Sequence, residues 1–326
     1  MKRPALALAT VVLVGLLPLV VHSPYLLHIL ILVLLAAALG LAWNVVGGWA
    51  GQYSVGHAAY FGIGGYTLSI LVARGIAPGW GALAGMVIAV AISIVIGSIC
   101  LRLRGAYFVL ASIAVAEILR LTALAWKTLT NGAEGILINE LPPLTLFGHV
   151  VTDFSGKEPF VYLALLLAFV GVAVNEALTR TKLGYMLLAI REDQDAAWSL
   201  GIPLAFYKNA ALSISAALTA LVGAVTAMYI LFLDPHAAFG LEVSVQAVLI
   251  CILGGIGTVA GPVLGAVVIV LLDEGLRTWL TQGHALVYGL LLVLAILFLP
   301  DGLMGLFRFR RKPPRAAPLP SAGGAP

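Results

Sequence analysis

The chain has 326 residues, of which 62% are hydrophobic and only 10% charged, with a formal net charge of +4. Soluble domains carry about a quarter charged residues, so this composition excludes a soluble globular enzyme and points to an integral membrane protein. The basic excess is local: Arg308, Arg310, Arg311, Lys312 and Arg315 follow Pro300 against the single acid Asp301, while residues 1–300 hold 13 charges of each sign. Orientation in a membrane explains such a tail, and no nucleic-acid partner is expected.

A spanning helix needs about 20 mostly apolar residues. Lys2 and Arg3 precede an apolar run at 5–21 that resembles a signal peptide. No small-residue cleavage pattern follows it and further spans do, so it reads as a first transmembrane helix. Runs at 26–46, 55–73, 80–101 and 106–124 come next, then 160–178, 209–233, 243–253, 262–272 and 286–299. Three of these are short, which predicts eight to ten crossings in an all-α polytopic fold with Gly-interrupted helices. Ten crossings with both termini cytoplasmic place 13 of the 18 cations inside. Residues 1–312 then form one transmembrane domain, with an outer loop at 125–159 and a cytoplasmic loop at 179–208. The Pro/Ala/Gly-rich residues 313–326 read as a disordered tail. Cys100 and Cys251 sit far apart in apolar runs and are expected as free buried thiols.

Chemistry-bearing motifs are missing. Gly156-Lys157 is followed by Glu158 and so is no Walker A loop, and GIGTVA at 255–260 lacks the alternating strands and helices of a dinucleotide fold. The six histidines never approach metal-ligand spacing, and paired catalytic carboxylates and nucleophile motifs do not occur. Neither a catalytic residue nor a metal site is expected.

The segment WNVVGGWAGQYSVGHAAYFGIGGYTL, residues 43–68, is the first anomaly. Gly47, Gly48, Gly51 and Gly56 permit a helix break, which survives in hydrocarbon only inside protein or along a wet path. Gln52, Ser54 and His57 would bond the freed backbone or face a conduit; the alternative is an interfacial loop with Gly62–Gly65 as a helix-packing face. Gly254, Gly255, Gly257 and Gly261 in LGGIGTVAGPVLG form a second interruption, and paired interruptions point to a transport pathway. Glu117, with Arg120 three residues on, reads either as a pathway residue or as a paired group near the outer interface. The loop TRTKLGYMLLAIREDQDAAWSLGIPLAFYK carries an apolar stripe, Leu183, Leu187, Ile190 and Ala197, beside the acids Glu192, Asp193 and Asp195. Those acids fit poorly against anionic lipid, so a protein partner is expected to cover the stripe.

At this loop the sequence resembles the permease subunits of branched-chain amino-acid ABC importers, of the LivM type. GWAGQYSVGHAAYFGIGGYT, LRLRGAYFVLASIAVAEILR, TNGAEGI, GYMLLAIREDQDAAWSLGI, LGGIGTVAGPVLGA and PDGLMGLF fall in family order over nearly the whole chain. The resemblance implies an EAA-like loop, here Asp195-Ala196-Ala197 and then Gly201, docking onto an ATPase, with Asp in place of Glu. Glu192, Asp193, Asp195, Ala196, Ala197 and Gly201 are the candidates for coupling, and Gln52, Ser54, His57 and Tyr60, with Glu117, those for the path. The resemblance implies as partners a LivH-type permease subunit, two cytoplasmic ATPase subunits that hold the ATP and Mg, an extracytoplasmic substrate-binding protein, the bilayer of a bacterial inner membrane and an amino-acid solute. No cofactor is expected on this chain. Thr130-Asn131-Gly132 departs from the family's Thr-Gly-Gly, although Asn tolerates a left-handed backbone. Urea or short-chain amides as solute, an ion-coupled secondary transporter and a membrane scaffold remain alternatives.

Overall fold

A computed structural model describes residues 23–146, 149–152, 154, 156–279 and 302–308, with isolated positions between 287 and 297. The expected span at 5–21, most of that at 286–299 and the tail at 313–326 lie outside the described residues.

Prolines set several helix starts, because a missing N–H costs nothing in the first turn. Pro24 opens α1 (Pro24–Asn44), which runs on through a π turn at Val45–Trp49, and Pro78 opens α3 (Pro78–Cys100). Between them lies the shorter α2 (His57–Ala73). After α4 (Ala106–Ala125) and the single turn α5 (Lys127–Thr130), strands β1 (Ile136–Leu137), β2 (Leu144–Leu146) and β3 (His149–Thr152) occupy the expected outer loop. Helix α6 (Glu158–Leu178) leads to two short helices, α7 (Lys182–Glu192) and α8 (Gln194–Ser199). The long α9 (Leu204–Ile230), strand β4 (Phe232–Leu233), α10 (Pro235–Phe239), α11 (Leu241–Gly254), α12 (Gly261–Trp279) and α13 (Gly302–Arg308) follow.

Six helical segments among the described residues are long and apolar enough to cross a membrane: Pro24–Trp49, Pro78–Cys100, Ala106–Ala125, Glu158–Leu178, Leu204–Ile230 and Pro235–Gly254. The chain is a multi-pass membrane protein of all-α architecture. The short runs expected at 243–253 and 262–272 belong to longer helices. Polar residues extend each: α11 continues back to Glu242, and α12 forward through Asp273, Glu274 and Arg277, where Arg277 and Asp273 pair at 3.1 Å.

Two groups of helices pack side by side, α2, α3 and α9 in one and α1, α6, α11 and α12 in the other, joined where α1 meets α9. Lipid is as apolar as leucine, so small residues and close backbone approach provide the attraction. A Cβ at Gly64 would fall on the Ala220 carbonyl of α9, and one at Gly223 on the Phe61 carbonyl of α2. The stretch Gly62–Gly65 is therefore a packing face. Helices α1 and α9 are buried over most of their length, whereas only about a quarter of α3 and α4 is buried.

The turns at 45–56, 101–105, 179–203 and 255–260 share one end of the bundle, tied by Arg191 to Gly48, Arg104 to Asp195 and Asn44 to Gly257. At the opposite end β1 pairs antiparallel with β4, Ile136 opposite Leu233, and Lys157 Nζ donates to Pro24 O. Asn131 takes the left-handed conformation (φ 62°) and its Nδ2 donates to Gly135 O (2.9 Å), so the left-handed turn forms here with Asn. At the same end, among Leu27, Phe160, Met228, Tyr229, Lys157 and Glu158, lies an open cavity of about 410 Å³.

Candidate functional site

The first glycine cluster ends α1. The Trp43 ring lies over Gly47, and its Nε1 donates to Ser54 O (2.7 Å). Beyond the π turn Gln52 N returns to Val46 O (3.0 Å), and the chain runs without helical bonds to Gly56. Gly51 has φ +65°, which costs an L-residue roughly 1–2 kcal/mol. Freed N–H groups in an apolar setting need acceptors. Val55 N finds Ser112 Oγ of α4 (3.0 Å), Gly56 N finds Ser54 Oγ (3.3 Å) and Ala58 N finds Ser244 Oγ of α11 (2.8 Å). Three serines thus take the place of a water-exposed helix start.

Gln52, Ser54, His57 and Tyr60 come together here, and all four are buried. Gln52 Nε2 donates back to Ala50 O (3.3 Å). His57 Nε2 lies 2.8 Å from Ser215 Oγ, which itself lies 2.7 Å from Ala42 O. The hydroxyl has one hydrogen and directs it at that carbonyl, so the imidazole donates from Nε2. Among the described residues its Nδ1 has no hydrogen-bond partner of good geometry. Tyr60 meets the imidazole edge-on, with ring centres 6.2 Å apart. Next to Ser54, Tyr60, Phe108 and Ser112 a void of about 10 Å³ remains, room for about one water. The cluster is otherwise packed, with no room for an organic solute between these side chains.

Glu117 does not join this cluster. It stands five residues beyond Ser112, about 7.5 Å along α4. Its half-exposed carboxylate accepts from Arg120 Nε (2.8 Å), and Arg120 Nη1 lies 3.1 Å from His236 Nδ1 on α10. The geometry is that of a paired group, because a carboxylate is less costly paired and half exposed than alone inside a bundle.

The second cluster ends α11 at Gly254, with Gly255 (φ 122°) and Gly257 (φ 72°) in backbone regions that favour glycine. Thr258 Oγ1 donates to Gly255 O (2.7 Å) and accepts from Gly261 N (3.0 Å), closing the break over the start of α12. A Cβ at Gly254 would overlap the Gly261 carbonyl.

The two breaks meet. Asn44 Oδ1 accepts from Gly257 N (2.9 Å), and Asn44 Nδ2 donates to Thr258 O (3.0 Å) and to Asn175 Oδ1 (2.9 Å). Asn175 Oδ1 also accepts from Trp49 Nε1 (2.9 Å), while its Nδ2 donates to Leu41 O and Gly171 O. One buried amide pair on α1 and α6 therefore fastens both interruptions. Arg191, at the end of α7, donates from Nη1 to Gly48 O (2.7 Å).

In the 179–203 loop, the apolar stripe expected to await a partner is covered by the chain itself: Leu187, Ile190 and Ala197 are buried against the bundle and Leu183 partly so. The exposed face carries Tyr185, Glu192, Trp198 and Leu200, the last two 70% and 82% exposed. Asp193 caps α8, its Oδ1 accepting from Asp195 N (2.9 Å) and Ala196 N (3.0 Å). Gly201 (φ +81°) ends α8, with Ile202 N bonded to Ala197 O and Gly201 N to Trp198 O, the pairing of a Schellman turn. Asp193 and Gly201 thus shape the loop, whereas Glu192, Asp195 and Ala196 remain on its exposed side. Asp195 pairs with Arg104 (2.9 Å), and this hydrogen-bonded carboxylate raises the arginine above its ordinary value. Gln194 Oε1 accepts from Lys208 Nζ (2.9 Å).

Asn44, Asn175, Arg191, Ser112, Ser215 and Ser244 are the members that the sequence reading does not single out. The two amides carry a signal, since each is an isolated strong hydrogen-bonding group within an apolar run. The serines carry none, because a serine in a span reads equally as a small packing residue.

The family model described as branched-chain amino acid transport system / permease component matches residues 25–299. The chain is 33% identical over 292 residues to the high-affinity branched-chain amino acid transport system permease protein LivM of Salmonella typhimurium, spanning 83% of this chain and 68% of that protein. It is 32% identical over 323 residues to the LivM protein of Escherichia coli, spanning 91% and 75%. No solved structure matches the chain. The glycine breaks, the short helical pair and the blocks between them thus fall within one continuous family match, and the chain belongs to the branched-chain amino acid transport permease family.

Proposed function

We propose that this chain is the membrane-spanning permease subunit of an ATP-driven importer for branched-chain amino acids in a bacterial inner membrane. In this reading it forms half of the solute path, pairs with a LivH-type permease, receives solute from an extracytoplasmic binding protein and is moved by two cytoplasmic ATPases that hold the ATP and Mg. The end bearing 179–203 faces the cytosol, and the chain itself is a relay without nucleotide chemistry.

The observation that carries the proposal is the α7–α8 pair. Its apolar stripe is seated in the chain's own bundle while Trp198, Leu200 and Glu192 face outward, and Arg191, Gln194 and Asp195 fasten it to three separate segments. A surface held this way transmits a push instead of absorbing it. Leucine, isoleucine and valine are the favoured solutes because the relatives carry that description.

Reconstitution with the partner permease, the ATPases and the binding protein in liposomes tests the reading. Leucine should accumulate only with ATP inside and the binding protein outside, and accumulation should survive an uncoupler. Uptake that collapses with the uncoupler and needs no ATPase would replace the proposal with ion coupling. Uptake of urea or short amides in preference to leucine would keep the machinery and change the solute, and ATPase binding without any flux would leave a scaffold.

A further inference from the structure

We infer that Arg191 is the residue through which motion of α7 reaches both glycine breaks, and that Gly51 and Gly257 leave the space its side chain occupies. The inference rests on the importer reading above and assigns a positioning role within it.

The guanidinium enters from α7 and ends between the two interruptions. Nη1 donates to Gly48 O (2.7 Å), a carbonyl past the helical ladder of α1. A Cβ on Gly51 would lie 2.9 Å from the arginine's Cγ, and one on Gly257 would lie 2.5 Å from Nη1. A Cβ on Gly48 would instead meet Asn44 Oδ1 first and Gly257 N at 2.8 Å, so that glycine serves the contact between the two breaks. A side chain at Gly51 or Gly257 would therefore crowd the arginine. Gly51 and Gly257 also hold positive φ, so neither wall admits another residue without strain.

Glu192 Oε1 is 3.9 Å from Nε, too far for a strong competing bond, and the side chain is about one-third exposed, so the bond to Gly48 carries the attachment. Asn44 then links Gly257 to α1, and Asn175 links that pair to α6. A small displacement of α7 moves one guanidinium, and the guanidinium lies against both breaks together. Neither Asp195 nor Gln194 does this, since their partners Arg104 and Lys208 lie in other segments.

Arg191→Met keeps an unbranched stem against Gly51 and removes the donors; Arg191→Lys keeps the charge without the planar fork. Each is assembled into the full four-component transporter, and leucine uptake and ATP hydrolysis are measured on the same vesicles. The expected result is normal retention of the ATPases, with uptake per ATP hydrolysed at least tenfold lower for Met and intermediate for Lys. A ratio within twofold of wild type for Met overturns the inference. Loss of bound ATPases also overturns it, because it makes Arg191 a docking residue. If the Met variant does not insert, the Lys variant decides, and an unchanged ratio overturns the inference. Wild-type vesicles that show no ATP-dependent uptake would instead sink the importer reading, so the two failures are distinguishable.

Discussion

Replacing Asn175 with alanine should cost about 2–4 kcal/mol, and the cost should depend on Trp49. The side chain is fully buried and makes four hydrogen bonds, but they are not equivalent. Gly171 O lies in a helix whose own ladder supplies a donor, so losing that Asn175 Nδ2 bond is nearly free. Leu41 O instead faces the π turn, where Val45 N goes to Trp43 O, and loses an ordinary bond. Asn44 Nδ2 keeps Thr258 O, and one ordinary bond in a membrane bundle is worth about 0.6 kcal/mol. Trp49 Nε1 is left with no acceptor in a buried site, at about 1–3 kcal/mol. Substituting Trp49 with phenylalanine removes that donor in advance. The double variant Asn175→Ala with Trp49→Phe should therefore be more stable than the two separate losses predict, by about 1–2 kcal/mol. Unfolding in mixed micelles with increasing dodecyl sulfate measures the four corners of the cycle. Strictly additive losses would refute the reasoning, for the orphaned indole would then not be the main term.

Gly64→Ala should destabilise the bundle by about 1–3 kcal/mol through overpacking against the Ala220 carbonyl, whereas Gly79→Ala, with open space at its Cβ, should change stability by less than about 0.5 kcal/mol; thermal unfolding in detergent compares them. Asp193→Ala removes the cap of α8 and should cost about 1 kcal/mol locally, read as faster amide exchange over 194–199, with Asp193→Asn close to wild type. In a background where Cys100 and Cys251 are alanine, Tyr53→Cys should react with a water-soluble maleimide and Gln52→Cys should not, since Tyr53 is 49% exposed and Gln52 only 4%. Equal rates would refute the packing around the break, and protection of position 52 through a whole transport cycle would remove it from the path.

Much of this protein is legible in its residues taken singly. Hydrocarbon admits only helices of about 20 apolar residues, so the spans follow from runs of Leu, Val, Ile and Ala, and the breaks at 47–56 and 254–261 follow from glycines and polar groups that lipid would not tolerate. The left-handed Asn131 and the glycine that ends α8 are equally local, because positive φ selects the residue. Only the tertiary structure decides which break touches which, that Asn44 and Asn175 fasten them, that Arg191 enters between them, and that the loop's apolar stripe is covered by its own bundle. A glycine or a buried amide declares that something must come close. What comes close is set by how α1, α6, α7 and α11 pack together, and no run of neighbouring residues along the chain carries that.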